Sequence, residues 1–566
     1  MLKILFYHAN DTIQLKAADS SLFLGVSALY LKTYIDINYK DVAKNLDWLV
    51  PLQHKITDSE LVDIINTEQP DVFCTSHYIW NNSFLFEQIE RIKDKIPATI
   101  KIIVGGPSVD VNINPTFFEQ YSFVDYAIYG SGEQAFADLV AALVSNKKLI
   151  KFNTSNVAWT DSTNQKQIVA DFKYVAQSQV SPFLINKELF TKMVEYEQSL
   201  GVSVIVPYDL TRGCPYSCTF CDWNSGLSNK VTRRKGSYVD EIDLFQKLKI
   251  NNIYLSDANV GQYQEDVDMI AYLAEKNIKE GANFKIDGNF SKLRKENNLK
   301  IYHLMGKGNL VTELGGFTFS VQDINPEVLK NIDRPDVGWN VHVDMIREIK
   351  NSYPDKNVKM QLIVGLPGQT VLSLRNTLKE VCKERLHLQP FVSELLAASP
   401  AALEPKYQND FNFTYSNSER FHDGHFFKST FVESCFSFSK YDMAEMVILT
   451  TFYCAIMYFR EKFDVIELDV ESTVDDFLSS IDYQRLLTNL WDNWNNDKFY
   501  YTVNLDGTPE YRSACQLFGT GAAWINYVSF LKFVSRNIPK EKKYLLAKNL
   551  INKDRSLKSI EMRHYV

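Results

Sequence analysis

Cys214, Cys218 and Cys221 stand in the stretch Thr211-Arg-Gly-Cys-Pro-Tyr-Ser-Cys-Thr-Phe-Cys-Asp-Trp223, the only clustered cysteines among the eight in the chain. Thiolate is the ligating form of cysteine, and the number of ligands decides what such a set can hold. Four thiolates would close off a zinc ion or an iron–sulfur cluster. Three thiolates on a cubane leave one iron without a protein ligand, open to something else. A partial zinc site or a set of buried thiols is the other account of the same residues. It needs a fourth ligand from elsewhere, and the sequence has no second CxxC and no HxxxH pair.

The elements that position these thiols follow from hydrophobic periodicity. In the first 150 residues, apolar runs at 3–7, 72–76, 100–105 and 124–129 predict strands. Amphipathic segments at 22–34, 59–67, 83–95 and 133–144 predict the helices between them. Such alternation implies a doubly wound, flavodoxin- or Rossmann-like parallel sheet with its ligand beyond the carboxyl ends of the strands. Three strand ends carry ligand-friendly sequences: Cys74-Thr-Ser-His77, Val104-Gly-Gly-Pro-Ser108 and Tyr129-Gly-Ser-Gly-Glu133. Glycines admit close backbone approach, and a helix start after Gly132 favours an anionic or polar group; glycine at such a turn is also common in any sheet of this type. From residue 202 a second series begins, with strands predicted at 202–210, 253–256, 284–287, 316–320, 359–364 and 391–395. Helices are predicted at 238–248, 265–276, 327–332, 341–351 and 371–385. The cysteine stretch follows the first of these strands.

The cysteine spacing, with Phe220 just before the last thiol, resembles the signature of the radical S-adenosylmethionine (SAM) superfamily. The resemblance implies a [4Fe–4S] cluster on Cys214, Cys218 and Cys221, whose open iron chelates SAM and whose electron cleaves the sulfonium to a 5'-deoxyadenosyl radical. It also implies that the six βα repeats form the superfamily's partial (β/α)6 barrel, with its chemistry at the carboxyl-end mouth. Thr318-Phe-Ser-Val-Gln322 looks like the fourth-strand stretch, so that Ser320 and Gln322 reach the ribose or carboxylate of SAM. Leu362-Ile-Val-Gly-Leu-Pro-Gly368, with Gly365 at its centre, looks like the stretch beside adenine, although Gly-Leu-Pro-Gly is also an ordinary tight turn. Tyr254-Leu-Ser-Asp257-Ala-Asn259 ends the second strand, where Asp257 would line the mouth. Arg212 and Arg233 are candidates to neutralise a carboxylate or the cluster.

The N-terminal segment resembles the cobalamin (B12)-binding domain that precedes many radical SAM domains. The match rests on Ser76, the Gly105-Gly106 pair and the turn through Gly130, Gly132 and Glu133. The Asp-x-His-x-x-Gly loop that gives cobalt a histidine is missing; His8 follows the first strand without that pattern and reads as a loop or core histidine. Many B12-dependent radical methylases lack that histidine, and some relatives keep the fold without cobalamin. Cobalamin is the expected third cofactor.

Length and composition frame the rest. A chain of 566 residues exceeds one core. The expected division is a cobalamin-binding-like domain at 1–150, a connector at 151–200, a barrel at 201–400 and a mainly helical domain at 401–566. In the last, an N-cap at Ser439 opens a helix to about residue 463, with further helices at 474–493 and 521–534. The stretch 431–446 resembles a segment after the barrel of B12-type radical SAM proteins. The basic run 540–543 reads as a solvated face. The aromatics Trp491, Trp494, Phe499, Tyr500, Tyr501, Trp524 and Tyr527 read as helical core or as a substrate lid. A net charge of −8 provides no global basic field, which disfavours a nucleic-acid partner. No apolar run reaches the ~18 residues of a membrane span, and the first eleven residues read as a strand, not a signal peptide. Scattered cysteines suit a reducing cytoplasm.

The expected function is therefore attack by a SAM-derived radical on an unactivated C–H of a peptide or natural product, with cobalamin-dependent C-methylation leading. Flavodoxin or ferredoxin is the expected electron donor. One rival is a peptide epimerase, with Cys382, Cys435, Cys454 or Cys515 returning hydrogen. Another is a non-catalytic cobalamin- or SAM-sensing protein, for which an intact cysteine triad has no use.

Overall fold

The computed structural model describes residues 1–16, 19–112, 114–145, 155–161, 166–171, 173, 180–224, 231–234, 238–312, 316–396, 399–422, 425–462, 468–495, 534, 536 and 537. They divide into two compact units: Met1–Ser217, Cys221–Gly315 and Ala397–Leu403 in the first, the remainder in the second.

In the first unit, β1 (Leu2–Asn10) opens the chain. The hairpin β2 (Thr12–Lys16) and β3 (Asp19–Phe23) follows. Strands β4 (Leu46–Trp48), β5 (Leu52–His54), β6 (Val72–Ser76), β7 (Lys101–Gly105), β8 (Tyr126–Ile128), β9 (Val157–Thr160) and β10 (Gln167–Val169) come next. They form one sheet in the order β10-β9-β8-β7-β6-β1-β4, with β5 also pairing β1. The core pairings of β4, β1, β6, β7 and β8 are parallel, and β9 and β10 add an antiparallel edge. Every residue of β6 is buried, as expected of a strand covered by helices on both faces. Leu5, Tyr7, Phe73 and Val104 fill one face, while Ile4, Phe6, Val72 and Ile103 face helix Gly132–Ser145 on the other. Strand order reverses between β1 and β6, so the crevice of this sheet lies beyond their carboxyl ends.

A second sheet runs β15-β14-β11-β3-β2, built on β11 (Ser203–Tyr208), β14 (Asn252–Val260) and β15 (Lys285–Phe290), all parallel. Here the sequence expectation of a helix over 22–34 needs correcting. Residues 19–23 are strand β3, parallel to β11 with Ser21 opposite Ser203, and the helix is Ser27–Asn38. An open edge of backbone groups on β11 claims this segment, a long-range pairing that local periodicity does not encode. The short pair β12 (Thr211–Arg212) and β13 (Thr232–Arg233) ties the two ends of the cysteine stretch.

In the second unit, β16 (Phe317–Gln322), β17 (Val358–Val364) and β18 (His387–Val392) form a parallel sheet. Helices Trp339–Ser352 and Val371–Lys383 follow the first two strands. Each strand expected of the second series is thus matched by a strand, three in a parallel set within each unit. The sixth lies four residues earlier than its expected start at 391. Glu394 and Leu395 instead pair with β20 of the hairpin β19 (Thr414–His422) and β20 (His425–Ser434). Helix Lys440–Lys462 begins where its Ser439 cap was expected, since Ser439 Oγ accepts from Asp442 N. The span expected as one helix at 474–493 is two, Val470–Leu478 and Ile481–Asn495. The expected helix at 521–534 lies almost wholly outside the described residues. Cys515, Phe499, Tyr500, Tyr501, Trp524, Tyr527 and the run 540–543 lie wholly outside them. Among the described residues no helix is long and apolar enough to cross a membrane.

Candidate active site

The cysteine stretch leaves the carboxyl end of β11, and its root is fixed by a carboxylate on the neighbouring strand. Asp257, on β14, accepts hydrogen bonds from the backbone N–H of Leu210 (3.0 Å) and Thr211 (2.7 Å). Burial, with Asp209 and Asp266 nearby, pushes the Asp257 carboxyl up to about 7. Gly213, at φ +89°, turns the chain toward Cys214. Cys214 is buried, and its Sγ receives the side-chain amide of Asn259 at 3.1 Å. The Lys292 ammonium, from the residue pair just after β15, lies 3.1 Å from Asn259 Oδ1 and 3.9 Å from Cys214 Sγ.

Arg212 and Arg233 each neutralise a carboxylate of the protein itself. The Arg212 guanidinium pairs with Glu133, lies 4.0 Å from Asp209 and sits over the Tyr30 ring at 5.3 Å. Arg233 pairs with Asp266 at 2.8 Å. The cation beside a cysteine is therefore Lys292, which sequence reasoning missed. The strand expected at 284–287 runs on to Phe290, and only that extension brings Lys292 to the strand ends.

Within the second unit, Thr219 N donates to the Ile332 carbonyl at 3.0 Å. The Phe220 ring packs on the apolar cluster of Val328, Ile332, Ile363 and Leu366. Cys218 is buried. β16 carries an irregularity between Ser320 and Gln322, and Gln322 adopts φ +73°, strained for a side chain of its size. Its buried Oε1 has no hydrogen-bond partner among the described residues. An orphaned acceptor at a bulged strand end fits a ligand bearing hydroxyl or ammonium donors. Ser320 engages Gln361 through its hydroxyl and Arg334 through its carbonyl. Gly365, at φ +94°, starts the Gly-Leu-Pro-Gly turn. The Gln369 side chain holds that turn by accepting from Gly365 N (2.8 Å) and Leu366 N (3.0 Å) and donating to Asp323.

At the crevice of the N-terminal sheet, Ser76 Oγ lies 2.8 Å from Ser27 Oγ. Gly106 sits at φ +116°, and a Cβ there would come 2.4 Å from the His77 carbonyl oxygen. Gly130 is also left-handed, whereas Gly105 and Gly132 have ordinary space around them. Glu133, in the first turn of its helix, is buried and held by Arg212. His8 is a buried histidine, pushed down to about 4 by desolvation, with no partner for Nε2 among the described residues.

Of the thiols considered as hydrogen donors, Cys382 and Cys454 are buried within helices Val371–Lys383 and Lys440–Lys462. Cys435 lies 3.2 Å from Ser437 Oγ, which accepts from Gly368 N. Among the described residues no three His, Cys, Asp or Glu gather as a metal-binding group, and no disulfide joins the thiols. The donor set nonetheless suits an iron–sulfur ligand. Two of the three thiols are buried, and one is already met by an amide donor and an ammonium that would stabilise thiolate charge.

Comparison with known proteins agrees with this reading. Residues 208–381 match the radical SAM superfamily and residues 26–140 match the B12 binding domain. The chain therefore contains a segment that matches the radical SAM superfamily and, ahead of it, one that matches the B12 binding domain. Such a pair of domains calls for a [4Fe–4S] cluster, SAM and cobalamin. The cobalamin-dependent radical SAM methyltransferase TokK of Streptomyces tokunonensis is 27% identical over 66% of this chain and 53% of its own. The 2-(S-pantetheinyl)-carbapenam-3-carboxylate methyltransferase of Streptantibioticus cattleyicolor is 25% identical over 62% of this chain and 50% of its own. The chain thus spans about half the length of these curated relatives. Among solved structures, the cobalamin-dependent enzyme OxsB with aqua-cobalamin shares the fold at TM-score 0.55 and 13% identity, over 98% of this chain and 81% of that one. TsrM of Kitasatospora setae, with cobalamin and a [4Fe–4S] cluster bound, does so at TM-score 0.52 and 12% identity, over 75% and 78%.

Proposed function

We propose that the chain is a cobalamin-dependent radical SAM methyltransferase acting on an unactivated carbon of a natural-product scaffold. The observation that carries this reading is the thiol loop itself. Its root is bound by Asp257, its first thiol meets Asn259, and Arg212 within it pairs with Glu133 of the B12-binding domain. In this assignment Cys214, Cys218 and Cys221 hold the cluster, leaving one iron open. Phe220, Ser320, Gln322, Asp257 and Gly365 border SAM, and Ser76, Gly105, Gly106, Gly130, Gly132 and Glu133 border the corrin. When bound, the cofactors supply an electron to the SAM sulfonium and a cobalt-borne methyl group. The protein's own part is narrower. Asp257 keeps the thiol loop at the strand ends, Gln322 offers an unpaired acceptor, and Gln369 shapes the turn beside it. The domains are proposed at 1–150, 201–400 and 401–566 around a connector at 151–200. A flavodoxin- or ferredoxin-type donor would reduce the protein in the cytoplasm.

Anaerobic protein reconstituted with iron, sulfide and cobalamin tests the reading. It should hold iron and corrinoid in fixed proportion and form 5'-deoxyadenosine from SAM and reductant. Incubated with carbapenam-type compounds and other natural-product scaffolds, it should give one gain of methyl mass with S-adenosylhomocysteine. Cys218→Ala should abolish 5'-deoxyadenosine. Undiminished formation in that variant, or deuterium uptake from heavy water without methyl gain, would refute the assignment.

A further inference from the structure

Lys292 belongs to no motif, yet its ammonium is placed at a thiol the cluster would use. It reaches Cys214 Sγ at 3.9 Å, is anchored on Asn259 Oδ1 at 3.1 Å and lies over the Tyr216 ring at 4.8 Å. Asn259 completes the arrangement by donating to the same sulfur at 3.1 Å through its other amide atom. The amide is thereby oriented: its oxygen faces the cation and its nitrogen faces the thiol. Both Cys214 and Asn259 are buried, and Lys292 is half-buried, so solvent screening between them is weak. The placement is built from strand ends, Asn259 on β14 and Lys292 two residues past β15, and does not depend on a flexible loop. Ser291, beside it, is tied by its hydroxyl to Gln262 and by its carbonyl to Asn298.

We propose that Lys292 and Asn259 form a positioning pair that raises the reduction potential of the cluster bound through Cys214. The inference rests on the radical SAM reading above and deepens it. Reduction adds one electron, and hence one negative charge, to the cluster and its thiolates. A cation and an N–H directed at one ligating sulfur stabilise that added charge more than the oxidised state. Hydrogen bonds to sulfur and local net charge are among the levers that set such potentials. No proton transfer or further oxidant is involved; the electron comes from an external one-electron reductant such as dithionite.

The test is a redox titration of the reconstituted protein followed by the electron paramagnetic resonance of the reduced cluster, with iron counted per chain. Lys292→Met, which removes the charge, should make reduction about tenfold less favourable, a fall of about 59 mV for one electron. Lys292→Arg should hold the wild-type midpoint to within a third of that shift, and Asn259→Leu should lower it in the same direction. Failure of wild-type protein to bind a cluster would overturn the function reading itself. An unchanged midpoint in a Lys292→Met protein carrying full iron would overturn only the present inference, as would an equal fall in Lys292→Arg. If Lys292→Met binds no cluster, Lys292→Gln takes its place in the titration, where a fall supports the inference and an unchanged midpoint overturns it. Cluster loss in all three Lys292 variants would overturn the inference by making the residue one needed for assembly.

Discussion

Removing Arg212 should damage the protein far more than removing its partner Glu133. The guanidinium serves two carboxylates, Glu133 by direct ion pairing and Asp209 at 4.0 Å, with Glu133 nearly without solvent contact. At about 4 Å and an effective dielectric near 20, one such attraction is worth about 4 kcal/mol before desolvation is counted. Arg212→Met leaves Glu133 buried and uncompensated, while Asp209 keeps the hydroxyl of Tyr30 as a donor. Breaking a buried pair in this sense costs about 3–5 kcal/mol. Glu133→Gln leaves an oxygen to accept from Arg212, and Arg212 keeps Asp209, so the loss is only the charge assistance of one hydrogen bond, about 1–2 kcal/mol. Anaerobic urea unfolding of the full chain, with hydrogen exchange read at the amides of β11 and β14, measures both. The double variant should be more stable than Arg212→Met alone, because no buried carboxylate is left stranded. Equal costs for the two single variants, or strict additivity in the double, would refute the reasoning.

Other consequences are as direct. Gly106→Ala should lose about 2–5 kcal/mol in urea unfolding, since it combines a left-handed φ with a 2.4 Å approach to the His77 carbonyl; a loss under about 1 kcal/mol would contradict the geometry. Asp257 should make stability fall as pH rises. The unfolded carboxyl releases its proton near 3.8 while the folded one retains it to about 7, so the contribution is whole below about 4 and lost by about 7. A gap of about three pH units at 1.36 kcal/mol each puts the full swing near 4 kcal/mol. Denaturation profiles of wild-type and Asp257→Asn protein between pH 4 and 7.5 should diverge by a good part of that, and parallel profiles would disprove it.

What could be read in the sequence was what depends on period and spacing. The thiol triad, the βα rhythm and the glycines of the strand ends all report local chemistry, and β6 and the Ser439 cap fall where expected. What escaped depends on partners far along the chain. β3 is a strand because β11 presents an edge some 180 residues later. β18 stops early because Glu394 and Leu395 pair with β20. Arg212 and Arg233 looked available until Glu133 and Asp266 were seen to hold them. Lys292 resembles any other lysine until β15 brings it beside the end of β14.

The β2–β3 hairpin has a consequence for how this architecture can be rearranged. It springs from the first strand of one sheet yet contributes ladder bonds to the other, so the seam between the two folds is not a linker that can be cut. A fragment begun at residue 180 would bare the flank of β11, a row of unsatisfied amides and carbonyls prone to self-association. An exchange of the first sheet that left out residues 12–23 would leave β11 without its partner, so the hairpin has to travel with the sheet it completes rather than with the strand it follows.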